Sequence, residues 1–199
     1  MSIKIGNVTL NGNVTLAPMA GFGDVAFRRL CRDYGAALTT TEMISAKGLI
    51  YGSKKTVEML RLAPNESPSC VQLFGSEPKD FLEAVSRPEL SAFDIIDINM
   101  GCPAHKVVSN HEGSDLMRDF NRASEIIKAA VSASGGRPVT VKFRAGFYDD
   151  DICAAEFAKM AEESGAAALT VHGRTAEQGY SGFADWDIIC KIASSADIP

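Results

Sequence analysis

The sequence predicts an α/β protein with one parallel sheet, a TIM (β/α)8 barrel truncated after about six strands. Strand-like and helix-like segments alternate along the chain, and this alternation gives a parallel sheet that is either doubly wound or closed as a barrel. Polar residues stand at the ends of several strands, and no G-x-G-x-x-G motif follows the first one. We therefore expect residues 1–199 to form one domain, the N-terminal portion of a barrel.

Short apolar runs bounded by Gly, Pro or Asp predict the buried strands. They span residues 14–17, 37–41, 70–74, 95–98, 139–143 and 168–171, and residues 196–199 look like the approach to a seventh strand. The opening segment from Ile3 to Leu10, with Asn11-Gly12 after it, predicts a small hairpin that closes the barrel floor.

Amphipathic segments with start and stop signals predict helices between these strands. One helix begins at Asp24 and ends at Gly35, and a second begins at Ser76-Glu77-Pro78. Apolar residues at helical spacing before Gly135-Gly136 indicate a third, and a fourth spans about 150–165.

Composition limits the classes of function. With 199 residues and 46% hydrophobic side chains, the chain can bury a core. Its formal charge of −5 supplies no overall attraction to nucleic acid, so an RNA contact needs a local patch or another part of the protein. Five cysteines without a C-x-x-C pair, and an N-terminus without a signal-peptide core, predict a reduced, cytoplasmic protein. No apolar run is long enough to cross a membrane.

Polar side chains at strand ends favour the barrel over the doubly wound sheet. Because strand side chains alternate with period two, three strands each present two polar groups on one face. These pairs are Asp97 with Asn99, Lys142 with Arg144, and Thr170 with His172. A barrel builds its active site from the C-terminal ends of several strands, whereas a doubly wound sheet concentrates its chemistry in one crevice.

The motifs at these strand ends resemble those of the bacterial-type tRNA-dihydrouridine synthases over the whole chain. They are L-A-P-M-A-G at 16–21, T-E-M at 41–43, V-Q-L-F-G at 71–75, D-I-N-M-G-C-P at 97–103, V-K-F-R at 141–144 and V-H-G-R-T at 171–175. The resemblance implies an FMN-binding barrel that uses NADPH to reduce tRNA uridine to 5,6-dihydrouridine. It also implies further barrel strands and a C-terminal helical tRNA-binding domain, both absent from residues 1–199.

In this resemblance Cys102 is the proton donor to C5 of uracil. An unperturbed thiol has a pKa of about 8.5, so it is mostly protonated at neutral pH and can act as an acid. Gly101 and Pro103 would hold it on a tight loop. The alternative is a buried structural cysteine, which is the interpretation for the other four: Cys31, Cys70, Cys153 and Cys190.

The resemblance also implies cofactor-binding residues. Pro18, Met19 and Ala20 would lie against the flavin, and Gln72 would bond the pyrimidine part of its ring. Lys142 would contact the ring near the atoms that become negative, and His172 would line the flavin or its phosphate side.

These cofactor assignments have structural alternatives. An ammonium among valines is costly unless an anion pairs with it, so Lys142 could instead form an ion pair with Asp97 or Glu42. His172 could be a satisfied core histidine and Gln72 a polar strand cap.

Asn99 and Arg144 resemble the uracil-contacting positions of the family. An amide offers a donor and an acceptor to a base edge, and arginine can pair with a carbonyl or a phosphate. The target base must be flipped out of the tRNA to reach a barrel mouth. Basic residues in loops after strands could meet phosphate, although solvated lysines are the commoner case: Lys47, Lys54, Lys55 and Lys106.

Cys102, His105 and His111 invite a metal interpretation, but their spacing lacks a fourth ligand, so we expect no metal. His105 and Asp115 depart from the small or basic residues usual in the family, which bears on RNA positioning more than on flavin chemistry. Two alternatives to tRNA reduction remain at this point. One is a flavin-barrel oxidoreductase that acts on a small molecule, and the other is a non-catalytic fragment.

Overall fold

The computed structural model, which describes residues 2–199, contains a six-stranded parallel sheet and a separate two-stranded hairpin. The strands are β1 (Ile3–Ile5), β2 (Val8–Leu10), β3 (Thr15–Leu16), β4 (Leu38–Ser45), β5 (Ser69–Phe74), β6 (Ile95–Met100), β7 (Val139–Arg144) and β8 (Ala168–His172). The large sheet follows chain order from β3 to β8, and every pairing in it is parallel. The result is a half-barrel, which confirms the prediction of a truncated TIM barrel.

Helices connect the successive strands. They are α1 (Val25–Asp33), α2 (Ala46–Ile50), α3 (Lys54–Glu58), α4 (Pro78–Val85), α5 (His105–Val108), α6 (Phe120–Ala133), α7 (Ala154–Glu163) and α8 (Trp186–Ser195). Asp24 caps α1 by accepting a hydrogen bond from the Phe27 amide at 2.9 Å, and Pro78 is the first residue of α4. Such start signals depend only on residues near the helix end, so they can be identified from the sequence. The four predicted helices, α1, α4, α6 and α7, are confirmed.

The differences from the sequence-based elements are mostly at boundaries. β3 is only two residues long, whereas β4 continues to Ser45 through an irregularity between Thr40 and Met43. The helices α2, α3 and α5 were not predicted because four or five residues are too few to show a helical period. Helix α8, which begins after the N-cap Asp185, was also not predicted.

The predicted N-terminal hairpin is confirmed, but its turn is at Gly6-Asn7 and not at Asn11-Gly12, which follows β2. Gly6 has a φ of 56°, which suits glycine at a tight turn. The hairpin residues Ile5 and Leu10 pack with the starts of four barrel strands, in a cluster completed by Ala37, Leu38, Cys70, Ile95 and Ala168. The hairpin therefore covers the N-terminal end of the half-barrel, as expected.

The two faces of the large sheet differ in chemistry. One face is apolar and packs on the helices through residues such as Leu73, Ile98, Val141 and Phe143. The alternate residues, which point to the other face, include Gln72, Asp97, Asn99, Lys142 and Arg144. The helices thus bury the apolar face, and the inner face carries the polar groups.

A buried ion pair fastens the loop between β3 and α1. Arg28 and Glu66 are almost fully buried and meet at 2.5 Å between Nε and Oε1. Arg28 also donates to the Gly23 carbonyl at 2.7 Å, and Glu66 accepts from the Thr39 hydroxyl and the Ala63 amide. The end of the Pro18–Gly23 loop is therefore tied to the body of the sheet.

The outer strands of the sheet each have one edge that pairs with no other strand among residues 2–199. On β8, the Leu169 amide donates to the Pro199 carbonyl at 2.8 Å. This contact is a single bond, so most of that edge stays unpaired. Within residues 2–199, no helix is long and apolar enough to span a bilayer.

We expect residues 1–199 expressed alone to be poorly soluble or loosely folded, because unpaired strand edges favour association between chains. We also expect them to bind the FMN implied by the resemblance only weakly. Size-exclusion chromatography and flavin absorbance measure both properties. A soluble monomer that purifies yellow with stoichiometric flavin would contradict this expectation.

Candidate active site

A cavity of about 390 Å³ opens at the C-terminal ends of the half-barrel strands. All nine residues that the sequence analysis assigned to the site line it: Pro18, Met19, Ala20, Gln72, Asn99, Cys102, Lys142, Arg144 and His172. It is also lined by residues that were not assigned, namely Ala17, Phe22, Met43, Gly101, Pro103 and Tyr180. The cavity has the size and the mixed apolar and polar lining of a small-molecule site. We call it the reaction cavity.

Strand register sets the order of the polar groups. Gln72 on β5 is level with Asp97 on β6, and Asp97 is level with Thr140 on β7. One layer further along, Asn99 is level with Lys142. Arg144 and His172 form the next layer, where β7 meets β8. The polar side chains of four neighbouring strands therefore share one face, which the period-two pattern predicted for β6, β7 and β8.

A chain of side-chain hydrogen bonds joins the deepest of these groups. Asp97 accepts from the Thr140 hydroxyl at 2.5 Å and from Gln72 Nε2 at 2.7 Å. Gln72 Oε1 accepts from Asn99 Nδ2 at 2.9 Å. Asn99 Oδ1 in turn accepts from the backbone amides of Gly101 at 3.2 Å and Cys102 at 3.0 Å. We call this series the Asp97 chain.

Burial raises the pKa of Asp97 to about 6, against the opposing effects of its hydrogen bonds from Thr140 and Gln72 and the charge of Lys142. At neutral pH the carboxyl group is therefore ionised, and both of its oxygens act as acceptors. An acceptor at this position fixes the Gln72 amide with its nitrogen toward Asp97 and its oxygen toward Asn99.

Backbone contacts on both sides fix the Cys102 loop. The Cys102 amide donates to Asn99, and its carbonyl accepts from the Ser114 amide at 3.0 Å and the Ser114 hydroxyl at 3.1 Å. Gly113 packs so closely that a Cβ there would lie 2.7 Å from the Cys102 carbonyl oxygen, and its φ of 63° also favours glycine. The half-buried Cys102 thus faces the cavity from a rigid loop.

Lys142 brings a positive charge into the cavity without a carboxylate partner. Among residues 2–199, no Asp or Glu oxygen lies within 4.0 Å of its ammonium group. Lys142 therefore forms no direct ion pair with Asp97 or Glu42, although the charge of Asp97 still acts on it. Burial lowers the pKa of Lys142, Asp97 raises it, and Arg144 lowers it again. The group is suited to an anion that enters the cavity.

Arg144 is buried and holds two loops together. Its Nε donates to the Gly101 carbonyl at 2.7 Å, and its Nη1 donates to the carbonyls of Thr175 at 2.8 Å and Gly179 at 3.0 Å. The guanidinium carbon lies 5.9 Å from the ring centre of Tyr180. Nη2 has no hydrogen-bond partner among the described residues, so this nitrogen is the one left to bind a ligand.

His172 is neutral in this environment. Burial, followed by the charges of Arg144, Lys142 and Arg174, lowers its pKa to about 4. Arg174 Nη1 lies 3.4 Å from His172 Nε2, and because arginine can only donate, Nε2 is the acceptor of that pair. His172 therefore presents an uncharged, partly buried ring at the cavity.

Part of the cavity lining is apolar. It is formed by the loop after β3, residues Ala17 to Ala20, together with Phe22 and Met43. Glu42 accepts a hydrogen bond from the Gly21 amide and so ties the loop to β4. The combination of apolar and polar lining suits a ring system with hydrogen-bonding edges.

Comparison with known proteins identifies the family. A family model described as Dihydrouridine synthase (Dus) matches residues 15–199. The chain belongs to the dihydrouridine synthase family. It is similar to a probable tRNA-dihydrouridine synthase of Rickettsia bellii, at 46% identity over 99% of this chain and 60% of the relative. It is also similar to tRNA-dihydrouridine synthase B of Pseudomonas aeruginosa, at 40% identity over 99% of this chain and 59% of that protein.

The chain spans about 60% of the length of the curated relatives it matches. Among solved structures it resembles morphinone reductase in complex with tetrahydroNAD, with a TM-score of 0.65 and 13% identity over 100% of this chain and 78% of that one. The old yellow enzyme homologue from Zymomonas mobilis gives a TM-score of 0.68 and 11% identity, over 100% of this chain and 79% of its own. At such identities the likeness concerns the barrel fold alone.

The other four cysteines of the chain do not line the reaction cavity. Cys70 is buried in the barrel floor, and burial raises its pKa well above the usual range. Burial is also the main cause that raises the pKa of Cys153 to about 11. Within residues 2–199, no three His, Cys, Asp or Glu side chains are placed to hold a metal ion.

Sequence reasoning missed two aromatic residues of the cavity, Phe22 and Tyr180. Both lie in glycine-containing loops after strands and are largely exposed, at 72% and 82%. An aromatic residue in such a loop does not by itself predict a binding site. Its position at the cavity depends on how the loop folds. The four lysines predicted to lie in loops are instead in short helices: Lys47 in α2, Lys54 and Lys55 in α3, and Lys106 in α5.

We expect the imidazole of His172 to titrate with a midpoint near pH 4, because burial and nearby cations disfavour its charged form. NMR titration of the complete protein, with His172→Gln to identify the resonance, measures this midpoint. Arg174→Gln should raise it by removing one cation. A midpoint near 6.5, the ordinary value for histidine, would show that these charges do not act on the ring.

Proposed function

We propose that the protein containing this chain reduces uridine in tRNA to 5,6-dihydrouridine, with FMN as its cofactor and NADPH as the reductant. The observation that carries the proposal is the reaction cavity, which all nine assigned residues line. The family match and the names of the relatives support the same reaction.

The lining of the cavity fits a flavin. Pro18, Met19 and Ala20 offer an apolar wall for one face of a planar ring, and Gln72 offers an amide edge for its pyrimidine portion. Lys142 has no carboxylate partner among residues 2–199, so its charge is available to a ring that becomes anionic. His172 would line the ring or its phosphate side as a neutral group. When bound, FMN supplies the hydride that is added to C6 of uracil.

Cys102 completes the reduction by moving a proton. Saturation of the C5–C6 bond needs a hydride at C6 and a proton at C5, so the thiol gives its proton to C5 and is reprotonated from solvent. The loop that holds Cys102 is fixed through Asn99 and Ser114, which limits the thiol to a small range of positions. Such positioning is a large part of the efficiency of a general acid.

Two residues, Arg144 and Asn99, have donors available to bind uracil. Arg144 has one free donor nitrogen, Nη2, which can reach a base carbonyl while the rest of the guanidinium holds the loops. Asn99 uses Oδ1 on two backbone amides and one Nδ2 proton on Gln72, so a single N–H of its amide is left for the base. The main role of Asn99 is to position Cys102 by accepting a hydrogen bond from its backbone amide.

The tRNA must approach the strand-end face, because the reaction cavity opens there. The target uridine has to be flipped out of the tRNA to enter the cavity. Lys47 and Lys106 line one cleft on this face, but Glu77, Asp80 and Glu112 line it too, so the cleft is not a basic patch for phosphate. A small-molecule reductase receives less support, since the reductases with this fold share only 11–13% identity with the chain.

The proton-donor role of Cys102 can be tested by measuring the two half-reactions separately. In the complete protein, Cys102→Ala should leave NADPH oxidation nearly intact, because the thiol faces the substrate. Oxidation of the reduced flavin by tRNA should slow by about 10²–10⁴-fold, the usual contribution of a general acid, while its oxidation by oxygen should not change. Rapid-mixing absorbance at the oxidised flavin band follows both steps.

Lys142→Ala is the contrasting variant in the same experiment. It should slow flavin reduction by NADPH, because it removes the charge that stabilises the reduced ring. If Cys102→Ala oxidised its flavin with tRNA at the wild-type rate, the proton-donor role would be wrong and Cys102 would be a structural residue. If neither variant nor the wild type formed dihydrouridine in tRNA, the proposed function itself would be wrong.

A further inference from the structure

A second cavity of about 240 Å³ lies beside the reaction cavity and shares Pro103 with it. We call it the side cavity. It is lined by Pro103, His105, Val108, Ser114, Phe147, Tyr148, Ala176 and Glu177. The aromatic residues of this lining, Phe147 and Tyr148, belong to none of the strand-end motifs.

Two aromatic rings, Phe147 and Tyr148, form one wall of the side cavity, and Arg118 packs on both rings without lining the cavity. The rings of Phe147 and Tyr148 meet edge to face with their centres 4.8 Å apart. The guanidinium carbon of Arg118 lies 5.1 Å from the centre of the Phe147 ring and 5.5 Å from that of Tyr148. Tyr148 is nevertheless 39% exposed, so the wall still presents aromatic surface to a ligand.

The aromatic wall is held in a rigid position. The Phe147 carbonyl accepts from the Glu177 amide at 3.0 Å, and the Glu177 carboxylate accepts from the Asp149 amide at 3.1 Å through Oε2. Thr175 donates its hydroxyl to Asp149 and so adds a third link between the loops. The other carboxylate oxygen of Glu177, Oε1, has no partner among the described residues and can accept from a ligand in the cavity.

The side cavity adjoins the reaction cavity. Pro103 borders both cavities. Ser114, which lines the side cavity, holds the Cys102 carbonyl through its amide and its hydroxyl. The side cavity is therefore a site that the neighbouring unit of a polymer bound in the reaction cavity can reach.

We propose that the side cavity binds the base of the nucleotide next to the target uridine, by stacking on Tyr148 and Phe147. This inference rests on the proposed function, because it requires an RNA substrate. An aromatic wall beside an arginine suits a nucleobase, since single-stranded nucleic acids bind proteins by stacking on aromatic side chains with added contributions from arginine. The free Glu177 oxygen can accept from the amino group that adenine, guanine and cytosine carry.

The occupant is a base and not a phosphate. Arg118 is already paired with Asp115 at 2.8 Å, and the exposed Glu177 adds a negative charge to the cavity. Both features oppose a phosphate group, whereas neither opposes an uncharged aromatic ring. Stacking of this kind tolerates different bases, so the side cavity adds affinity and fixes the RNA register next to the flipped uridine.

The complete protein tests this proposal with a short single-stranded RNA that carries 2-aminopurine, a fluorescent base, on the 5′ or the 3′ side of a uridine. Stacking on the aromatic wall quenches its fluorescence at one of these two positions. Tyr148→Ala should abolish the quenching and raise the KM for tRNA by about 5- to 100-fold, the usual range for one stacked base, with a smaller change in kcat. Tyr148→Phe should retain both properties because it keeps the ring.

Tyr34→Ala is the matched control, because Tyr34 is 87% exposed and follows α1 at the opposite end of the sheet. It should leave the quenching and the KM unchanged. The inference is overturned if Tyr148→Ala quenches 2-aminopurine like the wild type, or if it forms dihydrouridine in tRNA with an unchanged KM. A wild-type protein that forms no dihydrouridine in tRNA would instead overturn the proposed function, and the two failures are therefore distinguishable.

Discussion

The buried carboxylate of Asp97 is the group on which the arrangement of the reaction cavity depends. An ionised carboxylate only accepts hydrogen bonds, so it fixes the direction of the Gln72 amide and, through it, that of Asn99. The backbone amides of Gly101 and Cys102 only donate, and they require the same direction from the other end. Both ends of the Asp97 chain require the same direction of donation. The Gln72 and Asn99 amides therefore have a single favourable orientation.

This constraint explains why Lys142 is available for chemistry. Both Asp97 oxygens are occupied, one by Thr140 and one by Gln72, and no carboxylate lies within 4.0 Å of the lysine among residues 2–199. The same chain that orients the amides therefore leaves a half-buried cation facing the cavity. The Asp97 chain is satisfied within itself, whereas Lys142 lies outside it and has a charge that a flavin can complete.

The sequence predicted the large features of the site because they follow from local rules. Period-two alternation placed Asn99 and Lys142 on one face, and parallel strands bring their C-terminal ends to one edge. The role of Asp97 as an anchor could not be predicted, because it depends on which neighbours reach its two oxygens. Tyr180 and the side cavity depend on how loops fold over the strand ends, and loop conformation follows no short sequence period.

The most direct test of this account is amide hydrogen exchange at Gly101 and Cys102, measured by NMR in the complete protein. Asp97→Leu removes the acceptor that orients the Gln72 amide, which should speed exchange at these two positions while Val141 in the sheet core stays protected. Thr140→Val leaves the contact between Asp97 and Gln72 in place, so it should keep exchange slow. Unchanged exchange at Gly101 and Cys102 in Asp97→Leu would contradict the claim that Asp97 orients the site.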